Sequence, residues 1–385
     1  MEKLPYALQL DNLLAQDTAQ IINQHKSKLE RILAKNRPFV LFGAGRLGRT
    51  VLAGLRKAGI EPIAFADNNS LLWGTNIEGV DVLSLTEARH RSDLSVFVIS
   101  VYTAAPVRQQ LRSEGLLEIS FPELAWLFPE SFLPHGALEH PYKLFEHVDQ
   151  VKQALGLWAD EDSRQEYFGQ VQWRMSLDDS ILPPYLPQQE IYFSDVFTPS
   201  LDETFVDCGS FDGDTVREFI ERYPKFRSIV AIEPDQMNYQ NLQSYIASLP
   251  SEFATRVSAL NYAVGSTRGV VQFNETGSAA SSVGSGALSV NCLPLDEILS
   301  DTQPTFIKMD IEGAETNALL GARGVIEKYA PVLAICLYHK QEHLWEIPLL
   351  LQSFNDQYRF ILRRYSDQCW ESVCYAIPAD RLKNQ

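Results

Sequence analysis

Three carboxylates and two glycines fall within the eleven residues FVDCGSFDGDT at 205–215. An apolar pair leads in and TVREFI follows as a helix start, so the stretch reads as strand, tight turn and helix. Glycines at such a turn let a ligand approach the backbone. The helix N-terminus would ordinarily invite a phosphate. Asp207 argues against that guest, because a carboxylate beside the loop repels phosphate but attracts an ammonium or sulfonium. Glu233 ends the next strand, in IVAIEPD, where a carboxylate can accept both hydroxyls of a ribose. A ribose carrying a positive amino-acid tail describes S-adenosylmethionine, the expected cofactor. The plainer alternative, in which Asp207 only caps a helix or loop, leaves Glu233 unexplained. A calcium loop fails on its ligand positions, since Gly209 and Phe211 stand third and fifth from Asp207 and the sixth is Asp212 rather than glycine.

A second glycine turn lies earlier, at Gly43-Ala44-Gly45-Arg46-Leu47-Gly48, directly after the apolar run FVLF and with Asp67 ending the following strand. That context matches the dinucleotide fingerprint and makes Gly43, Gly45, Gly48 and Asp67 a candidate second nucleotide site. A fold kept for packing or regulation accounts for the same residues. The domain is too short to show a second half for a nicotinamide, which counts against a dehydrogenase.

At the far end of the chain, FIKMD and LAICLY close two apolar runs and place Asp310, Glu312, His339 and Lys340 where a doubly wound sheet binds its ligands. Methyl transfer to a hydroxyl asks for in-line placement of the acceptor and gains from a general base near neutral pH. His339, Asp310 and Glu312 are the nominees. Each has a structural alternative: Asp310 as a helix cap, Glu312 and Glu315 as acids in a first helical turn, His339 as a solvated turn residue. Lys308 is expected either to point out of the sheet or to pair with Glu312. A divalent ion shared by Asp310 and His339 is a permitted but unfavoured variant.

Two motifs are decoys. HKQEH at 339–343 matches an inverted zinc-peptidase pattern, but His339 follows a strand instead of sitting within a helix. LPPYL at 182–186 is similar to the Pro-Pro-aromatic element of amino-methylating nucleic-acid enzymes, yet it carries Leu182 where Asp, Asn or Ser is needed. A net charge of −16 further disfavours a nucleic-acid partner, since phosphate neutralisation needs a clustered basic surface. Five cysteines in mostly apolar contexts suit free thiols, and no apolar stretch is long enough for a membrane span, so a cytoplasmic protein is expected.

The elements that must position these groups alternate along 385 residues. Residues 1–36 read as a helical arm, with Leu13, Leu14, Ile21, Ile22, Leu29, Ile32 and Leu33 at roughly helical spacing, for packing or homodimerisation. Residues 37–137 alternate FVLF, PIAFAD, VDVL and VFVISV with helix-like segments, as a parallel sheet flanked by helices does. Residues 138–199 form a proline- and aromatic-rich helical connecting region. Residues 200–385 resume the strand–helix alternation. The Ser/Gly-rich stretch at 277–286 is expected as a lid or a flexible linker.

From about residue 185 onward the chain resembles the FkbM family of S-adenosylmethionine-dependent O-methyltransferases. The likeness rests on YFSDVF, FVDCGSFDGDT, AIEPDQMNYQNL, NYAVGS, LPLDEIL, FIKMDIEGAETNALLGA and LYHKQEHLWEIPLLL in that order, with IKMDIEGAE the most specific. The resemblance implies two tandem Rossmann-like domains, the second a seven-stranded class I methyltransferase fold. It places Asp207, Gly209, Ser210, Gly213 and Thr215 at the methionine end of the cofactor, Glu233 on the ribose and Ala263 against the adenine, with Asn261 close by. It also implies a hydroxyl acceptor on a sugar, glycan precursor or related small metabolite; a nucleotide or sugar-nucleotide at the N-terminal domain is expected from the Gly43–Gly48 turn and Asp67 instead. A non-catalytic regulatory or assembly protein that binds the same ligands is the alternative.

Overall fold

The computed structural model describes residues 5–33, 37–274, 282–283 and 288–383. The Ser/Gly-rich stretch therefore lies outside the described residues except for Ser282 and Val283. The chain divides into two compact units: residues 1–148, 168–185 and 366–370 in the first, and residues 149–167, 186–365 and 371–385 in the second.

In the first unit the expected single arm is two helices, Tyr6–Leu14 and Thr18–Leu33, because Asp17 accepts the Gln20 N–H and starts the second one afresh. Leu14, Ile21 and Leu29 of the expected stripe are buried, and Leu10 is buried with them. The sheet is built from β1 (Phe39–Phe42), β2 (Ala64–Ala66), β3 (Asn76–Ile77), β4 (Val80–Leu83), β5 (Val96–Ile99) and β6 (Leu117–Ser120), in the order β3-β4-β2-β1-β5-β6. Only β3 runs antiparallel to its neighbour. Strands covered on both faces read as unbroken apolar runs, as FVLF and VFVI do, and both are wholly buried.

The second unit holds a seven-stranded sheet of β7 (Thr204–Cys208), β8 (Ser228–Ile232), β9 (Val257–Leu260), β14 (Phe306–Met309), β15 (Val332–Cys336), β16 (Arg359–Arg364) and β17 (Ser372–Ile377). Between them a smaller sheet forms from β10 (Ala263–Val264), β11 (Gly269–Asn274), β12 (Ser282–Val283) and β13 (Leu288–Leu293). The large sheet runs β16-β17-β15-β14-β7-β8-β9, with β17 alone antiparallel to its neighbours. Chain order thus reverses between β7 and β14, and a crevice beyond their carboxyl ends is the place for a ligand. The edge strand β16 is covered: Trp158 bridges Phe360, and Arg363 and Arg364 pair with Asp160 and Glu166.

Helix Asp214–Arg222 starts right after the glycine turn and buries Val216, Phe219 and Ile220 on one stripe. Phe219 stacks on Phe205 of β7 with ring centroids 4.3 Å apart. Packing of this kind fixes where the helix begins and so where the turn opens.

Candidate active site

Beyond the carboxyl ends of β7, β8 and β14 lies a cleft. Its wall is laid by the glycine turn. Gly209 has φ +83°, and a Cβ there would stand 1.9 Å from the carbonyl oxygen of Asp310, so only glycine lets the turn after β7 pass the end of β14. Ser210 is fully buried; its hydroxyl donates to the Asp207 carbonyl and accepts from the Ile232 N–H, tying β7 to β8. Gly213 adopts φ +92° as the N-cap of the following helix.

Asp207 does not reach the cleft. Its carboxylate is fully buried and stands 3.0 Å from the ammonium of Lys308, which is 2% exposed and is its register partner across β7 and β14. Lys308 also donates to the carbonyl of Gly209 at 2.7 Å. Burial pushes Asp207 up to about 6 against the pull of Lys308. Burial opposes the charge on Lys308 too, but Asp207 and then Asp310 hold its pKa above the ordinary value. Two expectations change accordingly: Asp207 is not the partner of a ligand cation, and Lys308 pairs with Asp207. Ser210 and Gly213 likewise shape the turn without lining the cleft.

Gly209, Thr215, Glu233 and Ala263 do line it. Glu233 is 5% exposed and uses one oxygen for the Phe211 N–H and the other for the Asp235 N–H, at 2.9 and 2.8 Å. Each oxygen keeps a lone pair for another donor. Burial raises this carboxyl to about 7 despite those two amides. Asn261 points its amide at the carbonyls of Glu233 and Pro234 and so orders the strand end. Sequence reasoning missed Tyr192, Phe211, Asp214, Asn238 and Tyr262, which also line the cleft. Asp214 was legible in the quoted stretch, as an acid in the first turn of a helix that faces the site.

At the other end, Asp310 and Glu312 complete the lining. Asp310 accepts Tyr192 Oη–H at 2.7 Å on Oδ2 and Tyr338 Oη–H at 3.1 Å on Oδ1. Glu312, with φ +54°, occupies the left-handed region beside Gly313 at φ +96°. Phe211, at φ +46°, does the same across the cleft. Such conformations cost on the order of 1–3 kcal/mol each and persist where the surroundings hold them, often at functional sites.

His339 lies behind these acids. Its Nδ1 meets Glu315 Oε1 at 2.7 Å, and its Nε2 stands 3.3 Å from Asp310 Oδ1 and 3.7 Å from Glu312 Oε2. Burial alone would strip its charge, but Glu315, Asp310 and Glu312 together raise it to about 10. The three carboxylates thus favour the protonated ring, and His339 stands behind Asp310 and Glu312 instead of lining the cleft itself. Glu315 is fully buried, and although burial works against its charge, His339 above all holds it down at about 2. It also accepts the Ile311 and Gly313 N–H groups, which binds the turn after β14 to the end of β15. In HKQEH, His339 and His343 both face Glu315, His343 from 3.4 Å, and burial lowers His343 to about 4.

In the first unit, Gly43 has φ +115° and Gly48 packs against it so closely that a Cβ would lie 2.0 Å from the Gly43 carbonyl oxygen. Gly45 faces open space. Asp67 accepts the Ala44 and Asn69 N–H groups, one on each oxygen, much as Glu233 holds the second turn.

Residues 207–369 match the family model of the methyltransferase FkbM domain. No curated protein sequence matches the chain. Among solved structures, the chain is similar to the methyltransferase FkbM of Methylobacillus flagellatus KT, with a TM-score of 0.78 and 22% identity over 96% of this chain and 100% of that one. A putative rRNA methylase of Clostridium thermocellum aligns over 49% of this chain and 91% of its own, with a TM-score of 0.33 and 10% identity. The matched residues lie almost wholly within the second unit, so the likeness to a methyltransferase domain falls on the unit that holds the cleft.

The buried pair yields a stability test. Lys308→Met leaves the Asp207 carboxylate uncompensated and should cost about 3–5 kcal/mol in urea unfolding at pH 8. Adding Asp207→Asn should recover part of that loss. A single variant as stable as wild type would mean that the pair does not anchor the turn.

Proposed function

We propose that the second unit transfers a methyl group from S-adenosylmethionine to a hydroxyl of a sugar, glycan precursor or related small metabolite. The observation that carries this reading is the charge of the cleft at the strand-order reversal. Asp214, Glu233, Asp310 and Glu312 line it, and the single cation lining it among the described residues, Lys308, is held by Asp207. An acidic cleft of this kind suits a cationic ligand bearing hydroxyls and repels a phosphate. When bound, the donor supplies an electrophilic methyl on a sulfonium.

Each lining group then has a role set by its chemistry. The free lone pairs of Glu233 accept ribose hydroxyls, and Asp214, exposed in the first turn of its helix, takes the ammonium that the sequence assigns to Asp207. Ala263, Ile232 and Tyr262 give the base an apolar wall. Asp310, oriented by two tyrosine hydroxyls, accepts a hydrogen bond from the acceptor and holds it in line. Glu312 is the more solvent-open of the two acids beside His339 and receives the acceptor proton on a carboxylate oxygen.

Turnover tests this reading. With labelled donor and a panel of hydroxylated sugars, release of S-adenosylhomocysteine should fall about 10²–10⁴-fold in kcat for Glu312→Gln, with KM for the donor little changed. Full turnover in both Glu312→Gln and Asp310→Asn would remove these residues from the chemistry.

For the first unit we propose a nucleotide or sugar-nucleotide at the turn of Gly43, Gly45 and Gly48, with Asp67 at the ribose. Saturable binding of a nucleoside-diphosphate sugar, weakened at least tenfold by Asp67→Ala, is expected in calorimetry. Absence of binding would leave this turn with a packing role.

A further inference from the structure

At the ends of β14 and β15 two carboxylates converge on one ring nitrogen. Nε2 of His339 belongs to a side chain 6% exposed and makes no hydrogen bond, although carboxylate oxygens of Asp310 and Glu312 stand 3.3 and 3.7 Å away. For metal–ligand bonds of about 2.1 Å, neighbouring ligand atoms are roughly 3.0–3.4 Å apart, close to the spacing seen here. Donor atoms of Asp310, Glu315 and His339 all lie within 4.8 Å of one another. Oε2 of Glu315, in a side chain with no exposure, also lacks a hydrogen-bond partner.

We infer that Asp310 and His339 bind a divalent first-row metal ion, with Glu312 able to join them from the cleft side. The ring would ligate through Nε2, with Nδ1–H donating to Glu315 Oε1 at 2.7 Å, the carboxylate–histidine–metal arrangement that fixes both tautomer and ring orientation. Tyr192 and Tyr338 hold the Asp310 carboxylate in the same outer-shell manner. One imidazole nitrogen with carboxylate oxygens suits Mn²⁺ or Zn²⁺ better than Ca²⁺, which favours all-oxygen sites. Because Asp310 and Glu312 line the cleft, the remaining coordination positions face the acceptor, and the ligand class they fit is a hydroxyl or vicinal diol, which the ion would bind and acidify. This deepens the proposed hydroxyl methylation at the same cleft, while the ion site itself stands on the donor geometry.

The test uses the full chain, stripped of metal and titrated with MnCl₂ by calorimetry and by electron paramagnetic resonance of free Mn²⁺. One ion per chain is expected. Asp310→Asn and His339→Ala should weaken binding at least tenfold, and Glu315→Gln should weaken it about 10–100-fold through the outer shell. Thermal unfolding of each metal-free variant checks that it folds. As a reading that needs no variant, one equivalent of Cu²⁺ in the wild-type chain should show hyperfine coupling to one imidazole nitrogen. No stoichiometric ion, unchanged affinity in folded Asp310→Asn and His339→Ala, or Cu²⁺ without nitrogen coupling would each overturn the inference. S-adenosylhomocysteine binding that persists while no ion binds would sink the metal site and leave the methyl-donor reading intact.

Discussion

The site depends on one buried ion pair. Asp207 and Lys308 face each other across β7 and β14, the two strands between which chain order reverses, and neither has appreciable contact with water. An ion pair in that position is expensive to desolvate and gives no net stability for free. What it supplies is placement. Lys308 holds the Gly209 carbonyl as well, so one ammonium fixes both the end of the first strand and the turn that leaves it. The turn in turn presses against the Asp310 carbonyl, a contact that tolerates no Cβ. The donor side and the acceptor side of the cleft are thereby registered to each other by a few atoms.

A second buried carboxylate does the same work one strand further on. Glu315 gathers two amides of the turn after β14 and the imidazole at the end of β15, and so aims His339 at Asp310 and Glu312. The two buried acids differ in what balances them. Asp207 faces an ammonium that also holds the Gly209 carbonyl, whereas Glu315 faces His339, whose second ring nitrogen makes no hydrogen bond. That difference makes the first pair a fixed anchor and the second a place where chemistry can be supplied.

Much of this was legible in the amino-acid order. Parallel strands buried on both faces announce themselves as apolar runs, and VLAIC, FVLF and VFVI are found as strands. Gly209, Thr215, Glu233, Ala263, Asp310 and Glu312 come together at one cleft, because motif order in a doubly wound sheet maps onto one edge. What local spacing hides is the partner of a charge. Asp207 looks free in FVDCGSFDGDT because Lys308 becomes its neighbour only through strand register. His339 looks like a solvated base because Glu315, in a different element, lies beneath it. Tyr192 escaped for the same reason: nothing near it in sequence shows that its hydroxyl reaches Asp310. The break in the N-terminal arm at Asp17 is a capping effect that apolar periodicity passes over.

The central claim is that the cleft beside Glu233 holds a methyl donor. Calorimetric titration of S-adenosylhomocysteine into the full chain, repeated with Glu233→Ala, addresses it most directly. The account predicts one site per chain in the wild type and a loss of at least tenfold in affinity in the variant, with the variant still folded. No saturable heat in the wild-type protein, or equal affinity in the variant, would contradict it.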